Sequence, residues 1–199
     1  SALMAKVATK ESLADGDYAG LDLAGANLDG MDFSNSLMEQ VNLYGASLRG
    51  ANLSHCVLVR ANLENADFTG ANLEGANIGA THANKANFTD ANLHSTILAR
   101  GNFTDAIFSR CNMEKVDIMQ ANFQSATFSE MELRQVTWFE NNLQQTSFPK
   151  LNAIYNIFYD CNFDHANLAH AVFTSCAFVK CHFDRTGFME SNLEKSCFV

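Results

Sequence analysis

Large apolar residues recur along this chain at every fifth position. In the stretch from Ala61 to Asn77, ANLENADFTGANLEGAN, each unit puts a small residue first, Asn or Asp second and a large apolar residue third. The thirds are Leu63, Phe68 and Leu73, and two polar or small residues follow each. A period of five is neither the period of a helix nor the strict alternation of a strand, so it calls for a different backbone geometry.

A chain that turns a corner every five residues closes a square after four units. Each side sends one large side chain inward, and its small neighbour is needed because the interior is narrow. Stacked squares pair as parallel strands roughly 4.8 Å apart, and the hand expected for parallel crossovers is right. The tandem A(N/D)Lxx units resemble the pentapeptide-repeat family, whose members form a right-handed quadrilateral β-helix. The resemblance extends from about Asp15 to Val199. It implies an all-β solenoid, predicted to hold about nine coils in a rod roughly 40 Å long at that strand spacing.

The register runs without insertion from Tyr18 to Phe198, with Ala83 and Ala153 as the two small centres. Residues 1–14 lack the repeat and form a separate segment. Ala5, Lys6, Val7, Ala8, Lys10, Glu11 and Leu13 predict a short helix there, capping the end of the β-helix domain at 15–199. Ser1 to Met4, with its internal Met, is expected to stand outside the fold. At the other end Phe198 and Val199 stop in register, which predicts an open face that is cut, paired with another copy, or covered by a further segment.

Steps of twenty separate four walls. One interior column reads Leu28, Leu48, Phe68, Phe88, Phe108, Phe128, Phe148, Leu168 and Phe188, which predicts stacked rings as core and not as a cofactor box. Leu dominates the centres before about residue 100 and Phe after it, two packing styles in one solenoid. Met131, Val136, Asn141, Leu151 and Asn156 replace small residues around the single Pro149, so residues 131–160 are expected to be the least regular, with a bulge or kink. Asn62, Asn122 and their equivalents stand outward in columns and predict hydrogen-bonded ladders.

At 47% apolar the 199 residues suffice for a core, and no apolar run approaches a membrane span. The net charge of −9, with cationic residues scattered singly, argues against nucleic acid as a partner. Five of the six Cys (Cys56, Cys111, Cys161, Cys176 and Cys181) fall on the small inward position and read as compact hydrophobes in a reducing, cytoplasmic compartment. The six His do not converge with Cys or carboxylates at metal-ligand spacing: His82 and His182 lie coils apart, and His165 and His170 face different ways. No nucleophile elbow, phosphate-binding loop or H-E-x-x-H occurs, so neither metal, cofactor nor catalysis is expected.

The wall centred on Tyr18, Met38, Leu58 and their successors carries outward apolar residues along most of its length. Val57, Val59, Ile97, Met119, Phe139, Ile157, Tyr159 and Val179 line it, with Ile154 and Tyr155 nearby. β-Branched residues suit a flat parallel sheet in any case; alternatively, the stripe is a docking face for a second copy, forming a homodimer, or for another protein. The resemblance implies a non-enzymatic, protein-binding scaffold of bacterial type, including secretion-associated fusions. Its alternative is a DNA mimic of the kind that binds DNA gyrase and protects it from quinolones. Against mimicry, the acidic residues are spread over all walls, and the loops and C-terminal helix typical of such relatives have no counterpart in this register.

Overall fold

The structure, a computed structural model, describes residues 2–199; Ser1 lies outside the described residues. From Asp17 onward the backbone pairs with itself in a twenty-residue register, as in Asp17↔Leu37, Asn42↔Asn62 and Asn162↔His182. The result is a four-sided parallel β-solenoid.

One unit shows why the sequence folds this way. The Ala61 N–H closes the corner on the Leu58 carbonyl at 3.0 Å; Asn62 N–H reaches back to Val41 O at 3.0 Å; Leu63 and Asn65 N–H reach forward to His82 O and Asn84 O at 2.7 and 2.9 Å. The fourth N–H, of Glu64, has no neighbouring coil to meet and donates to the Asn62 side-chain oxygen at 3.2 Å. Every backbone donor of the unit is therefore paired, and the Asn or Asp at the second position of such a unit is an acceptor as well as a ladder rung. Its amide group simultaneously donates to the coil before, Asn62 to Asn42 at 3.0 Å and Asn142 to Asn122 at 2.9 Å.

The corner itself requires a left-handed residue. Every fifth residue from Lys10 to Lys195 has positive φ, between 51° at Asp160 and 67° at Gly20. Only seven of these corners are Gly, all at or before Gly75; later corners include Ala80, Arg100, Glu140 and Tyr155. Adopting this region costs a non-Gly residue about 1–2 kcal/mol, so the closure of hydrogen bonds and core must hold each corner in place.

Inside, first and third positions are buried from Leu28 to Phe178, while those of the last coil, from Cys181 to Phe198, are partly open. Phe68, Phe88, Phe108, Phe128 and Phe148 stack with centroids 5.0–5.2 Å apart, as the column predicts. Rings of adjoining walls meet edge-on, Phe103 against Phe108 at 66°. Burying each ring contributes about 1.5–3 kcal/mol before ordering entropy, and the interior is filled by these side chains.

The helix α1 (Ala2–Thr9) precedes the coils. It ends where Lys10 turns left-handed at φ 58°, with Lys10 N–H bonded to Val7 O and Glu11 N–H to Lys6 O, a Schellman stop. Val7 and Leu13 join the core cluster, and Leu13 N–H already pairs with Asp32 O at 2.7 Å. The helix begins at Ala2, so part of the opening tetrapeptide belongs to the fold.

The expected bulge or kink over 131–160 is absent. Strands lengthen there instead: β1 (Ile107–Ser109) pairs β3 (Thr127–Ser129) on the third wall; β4 (Glu132–Arg134), β6 (Asn152–Ile154) and β8 (Val172–Thr174) form a sheet on the fourth. The register stays at twenty residues throughout, as in Leu133↔Ala153. The large first-position residues open the corner of the coil before them without displacing it. Asn141 fills one such corner, accepting the Ala121 N–H at 2.8 Å and donating to Ile118 O at 3.3 Å; Asn156 does the same for Val136 and Leu133. Pro149 is tolerated because it occupies the fourth position, whose N–H makes no bond between coils, while its carbonyl still accepts from Glu130 at 2.9 Å.

Candidate functional site

The first wall carries the longest sheet: β2 (Ile118–Met119), β5 (Thr137–Phe139), β7 (Ile157–Tyr159), β9 (Ala177–Val179) and β10 (Cys197–Phe198) lie side by side. Its inner face is Trp138, Phe158, Phe178 and Phe198, stacked at 4.8–5.6 Å. The outer face is largely apolar because Leu37, Val57, Ile97 and Ile157 take first-wall second positions that on other walls are mostly Asn, although Asn77, Asp117 and Thr137 interrupt the row.

Eight of the ten sequence-predicted residues share this face: Val57, Val59, Ile97, Met119, Phe139, Ile157, Tyr159 and Val179. Met119 and Ile157 are exposed at 38% and 45%; the others are half-buried by their neighbours up and down the stack. Phe139 and Tyr159 stack at 5.2 Å with planes 4° apart, and Lys180 donates to the Tyr159 hydroxyl at 3.0 Å. Tyr155 stands on the corner between the fourth and first walls and is 60% exposed. Ile154 lies on the fourth wall, paired with Arg134 and Thr174, and is not part of the stripe.

The apolar second positions have a further consequence. Val57 and Ile97 carry no side-chain oxygen, so the outward N–H groups of Val59 and Ala99 have no acceptor among the described residues. A surface that is apolar yet studded with free backbone donors is open to added hydrogen bonds.

Two features of the corners escape a reading of apolar positions alone; both become visible when fifth residues are followed in steps of twenty. On the corner between the third and fourth walls, charges alternate and consume one another: Arg110 meets Asp90 at 2.7 Å and Glu130 at 3.7 Å, and Lys150 meets Glu130 at 3.0 Å. The Arg110 hydrogen bond holds the Asp90 carboxyl below its usual range, and Lys150, then Arg110, do so for Glu130. The diagonally opposite corner, beside the apolar wall, carries Arg60, Arg100, Glu140, Asp160 and Lys180 in that order. Arg100 reaches Glu140 only through the Gln120 amide, at 3.1 and 2.7 Å, and Arg60 and Asp160 have no ion-pair partner among the described residues.

A hollow of about 390 Å³ indents the first wall, lined by Lys115, Val116, Asp117, Ile118, Met119, Gln135, Thr137 and Phe139. A larger groove of about 620 Å³ lies over the fourth wall, where Arg110 and Arg134 are tied to Glu130 and Glu132. Among the described residues no group of three or more His, Cys, Asp or Glu could hold a metal ion, and no helix is long and apolar enough to cross a membrane. All six Cys are free thiols. Burial pushes Cys56 up to about 11 and Cys111 up to about 12, and each donates to a carbonyl at 2.8 Å.

The model of the pentapeptide repeats matches in eight copies, over residues 19–54, 46–81, 86–124 and 157–194. The unmatched stretch between 124 and 157 holds the large first-position residues that open the corners. No curated protein matches the sequence. Among solved structures, HetL, a pentapeptide repeat protein involved in heterocyst differentiation regulation from the cyanobacterium Nostoc sp. strain PCC 7120, superposes with TM-score 0.63. It is 19% identical, over 98% of this chain and 92% of HetL. QnrB1, a plasmid-mediated fluoroquinolone resistance protein, superposes with TM-score 0.72 at 17% identity, over 92% of this chain and 94% of QnrB1. At these identities both likenesses concern the fold. The repeat match over most of the chain, together with the closed bonding pattern of its unit, makes this chain a member of the pentapeptide-repeat family.

Proposed function

We propose that this protein is a non-enzymatic interaction scaffold, a stiff rod that docks another protein chain on its first wall. The observation carrying this reading is the largely apolar wall face from Val57 to Val179, interrupted by Asn77, Asp117 and Thr137 and flanked by the unpaired N–H groups of Val59 and Ala99. A large contiguous apolar face on a soluble protein is a docking surface, and Phe139, Tyr159 and Met119 are its anchors because stacked rings and Met dominate interface cores. The interior is occupied by its own Phe and Leu, which supports a surface role over a catalytic one. The buried free thiols fit a reducing, cytoplasmic setting.

A photo-reactive phenylalanine analogue replacing Phe139 tests this in cells, with the same analogue at Gln144 on the second wall as control. The Phe139 position is expected to give a discrete protein adduct and the control none; equal or absent labelling overturns the reading. For DNA mimicry, a continuous run of acidic side chains would be the supporting feature. The charges here alternate along one corner and reverse sign along another, so neither inhibition nor protection is expected in a gyrase supercoiling assay.

A further inference from the structure

We infer that the groove over the fourth wall is a further docking site, distinct from the first wall, which takes an extended segment of another protein and pairs with it through main-chain hydrogen bonds.

From Asp32 to Asn112 the fourth wall is bonded coil to coil, through Asn52, Asn72 and Asn92. The ladder then lapses and starts afresh at β4, which is an edge strand of the sheet it forms with β6 and β8. On one side of the lapse Arg110 N–H still reaches Ser129 O at 3.0 Å, and on the other Ile118 pairs with Trp138. The register is therefore kept while the bonds between are missing. One coil later Asn152 N–H bonds Met131 O at 2.9 Å, but the equivalent bond from Glu132 N–H to Cys111 O is not made, nor is that from Met113 N–H to Glu132 O. Glu132 and Arg134 have no backbone partner among the described residues for either N–H or C=O, while Leu133 between them pairs with Ala153 of β6. The bulky first-position residues Met131 and Val136 bracket this strand, and it lies in the stretch that the repeat model leaves unmatched.

The groove of about 620 Å³ lies on this lapse, with Cys111 and Asn112 on one bank and Glu132 and Arg134 on the other. Its size falls within the range of about 300–1,000 Å³ found for ligand sites. A free edge that shows N–H and C=O at alternate residues is a template for another strand, and an extended main chain is the partner that supplies both groups at that spacing. A small ion is the wrong occupant, because the charged side chains of the groove are already paired. Arg110 holds Asp90 with bonds of 2.7 and 2.9 Å, and Arg134 holds Glu132 at 2.7 Å. Cys111 is only 6% exposed, which leaves shallow room on its bank and selects small side chains at the positions of the incoming strand that face it.

The preceding fourth-wall unit shows which bonds β4 lacks: Asn112 N–H meets Ala91 O at 3.1 Å, and Leu93 N–H meets Asn112 O at 2.8 Å. A capped, fluorescein-labelled peptide of residues 89–97 is therefore the probe, and the same peptide N-methylated at Leu93 and Ser95 is its control. In fluorescence polarisation with the full chain, the plain peptide is expected to bind saturably and the methylated one about tenfold or more weaker. Amide exchange followed by NMR is expected to be fast at Glu132 and Arg134 and slow at Leu133, with the first two slowed by the plain peptide. Glu132→Pro removes an N–H that bonds nothing in the folded chain, so it is expected to keep the melting midpoint and lose the peptide. Asn152→Pro, which removes the donor to Met131 O, is expected to lower the midpoint. Slow exchange at Glu132 and Arg134 before any peptide is added, or a midpoint lowered as much by Glu132→Pro as by Asn152→Pro, means that the edge is already paired and overturns the proposal. So does a plain peptide that fails to bind, a methylated peptide that binds equally well, or binding that survives Glu132→Pro.

Discussion

The left-handed fifth residue and the acceptor at the second position are the smallest units of stability here, and both can be tested singly. Ala80 sits at φ 54° with no side-chain role, in a geometry that favours Gly. Ala80→Gly is expected to stabilise by about 0.5–1 kcal/mol, the left-handed penalty less the flexibility of Gly. Ala80→Val is expected to destabilise by about 1–2 kcal/mol, since a β-branched side chain fits that region least. Asn141 is a harsher case: 2% exposed, it satisfies the Ala121 N–H and the Ile118 carbonyl at once. Asn141→Ala orphans both, for an expected loss of about 2–4 kcal/mol in urea melts with an unchanged slope. A loss under about 1 kcal/mol would mean that water takes over both bonds.

Among elements, the corner ladder from Asp90 to Lys150 and the opened corners of β4 to β7 behave differently under challenge. The carboxyls of Asp90 and Glu130 lie below their ordinary range in the folded protein. The stability they contribute is therefore complete above about pH 5 and declines as pH falls through the carboxylate range. Asp90→Asn with Glu130→Gln is expected to flatten the acid limb of the melting curve between about pH 5 and 3. The effect should be small and should fade in high salt, because the ladder is fully exposed. The opened corners should respond to neither variable, since buried amide bonds hold them.

For the whole molecule, a full interior means that damage is local and that chemistry is confined to the skin. Phe108 stacks on Phe88 and Phe128 at 5.0 Å on both sides. Phe108→Ala is expected to cost about 3–5 kcal/mol, with hydrogen exchange accelerated in the adjoining coils more than at the far ends of the rod. The thiols report the same division between inside and outside. Cys197 is exposed, while Cys56 and Cys111 are buried with their thiols pushed up to about 11 and about 12. At pH 8 Cys197 is expected to react with an alkylating agent at once, and Cys56 and Cys111 only after denaturation. Rapid labelling of Cys56 in the native protein would show that the coils open far more easily than their packing implies.

The five-residue period by itself determined the solenoid, the stacked Phe column, the inward thiols and the apolar wall, because each depends only on which positions repeat. One expectation failed where side chains act through a neighbouring coil. Met131, Asn141 and Asn156 read as irregularities in one dimension, yet twenty residues away they meet a backbone corner whose bonds they complete. Where Ile154 stands relative to the stripe was settled by the corner at Tyr155, which leaves it on the fourth wall. The universal left-handed corner was legible only in the early Gly positions, since later corners use residues with no such preference and are held there by the closure of the coil. The charged edge beside the apolar wall was likewise a tertiary matter: residues such as Arg60 and Asp160 acquire a relation only once stacking places them on one edge.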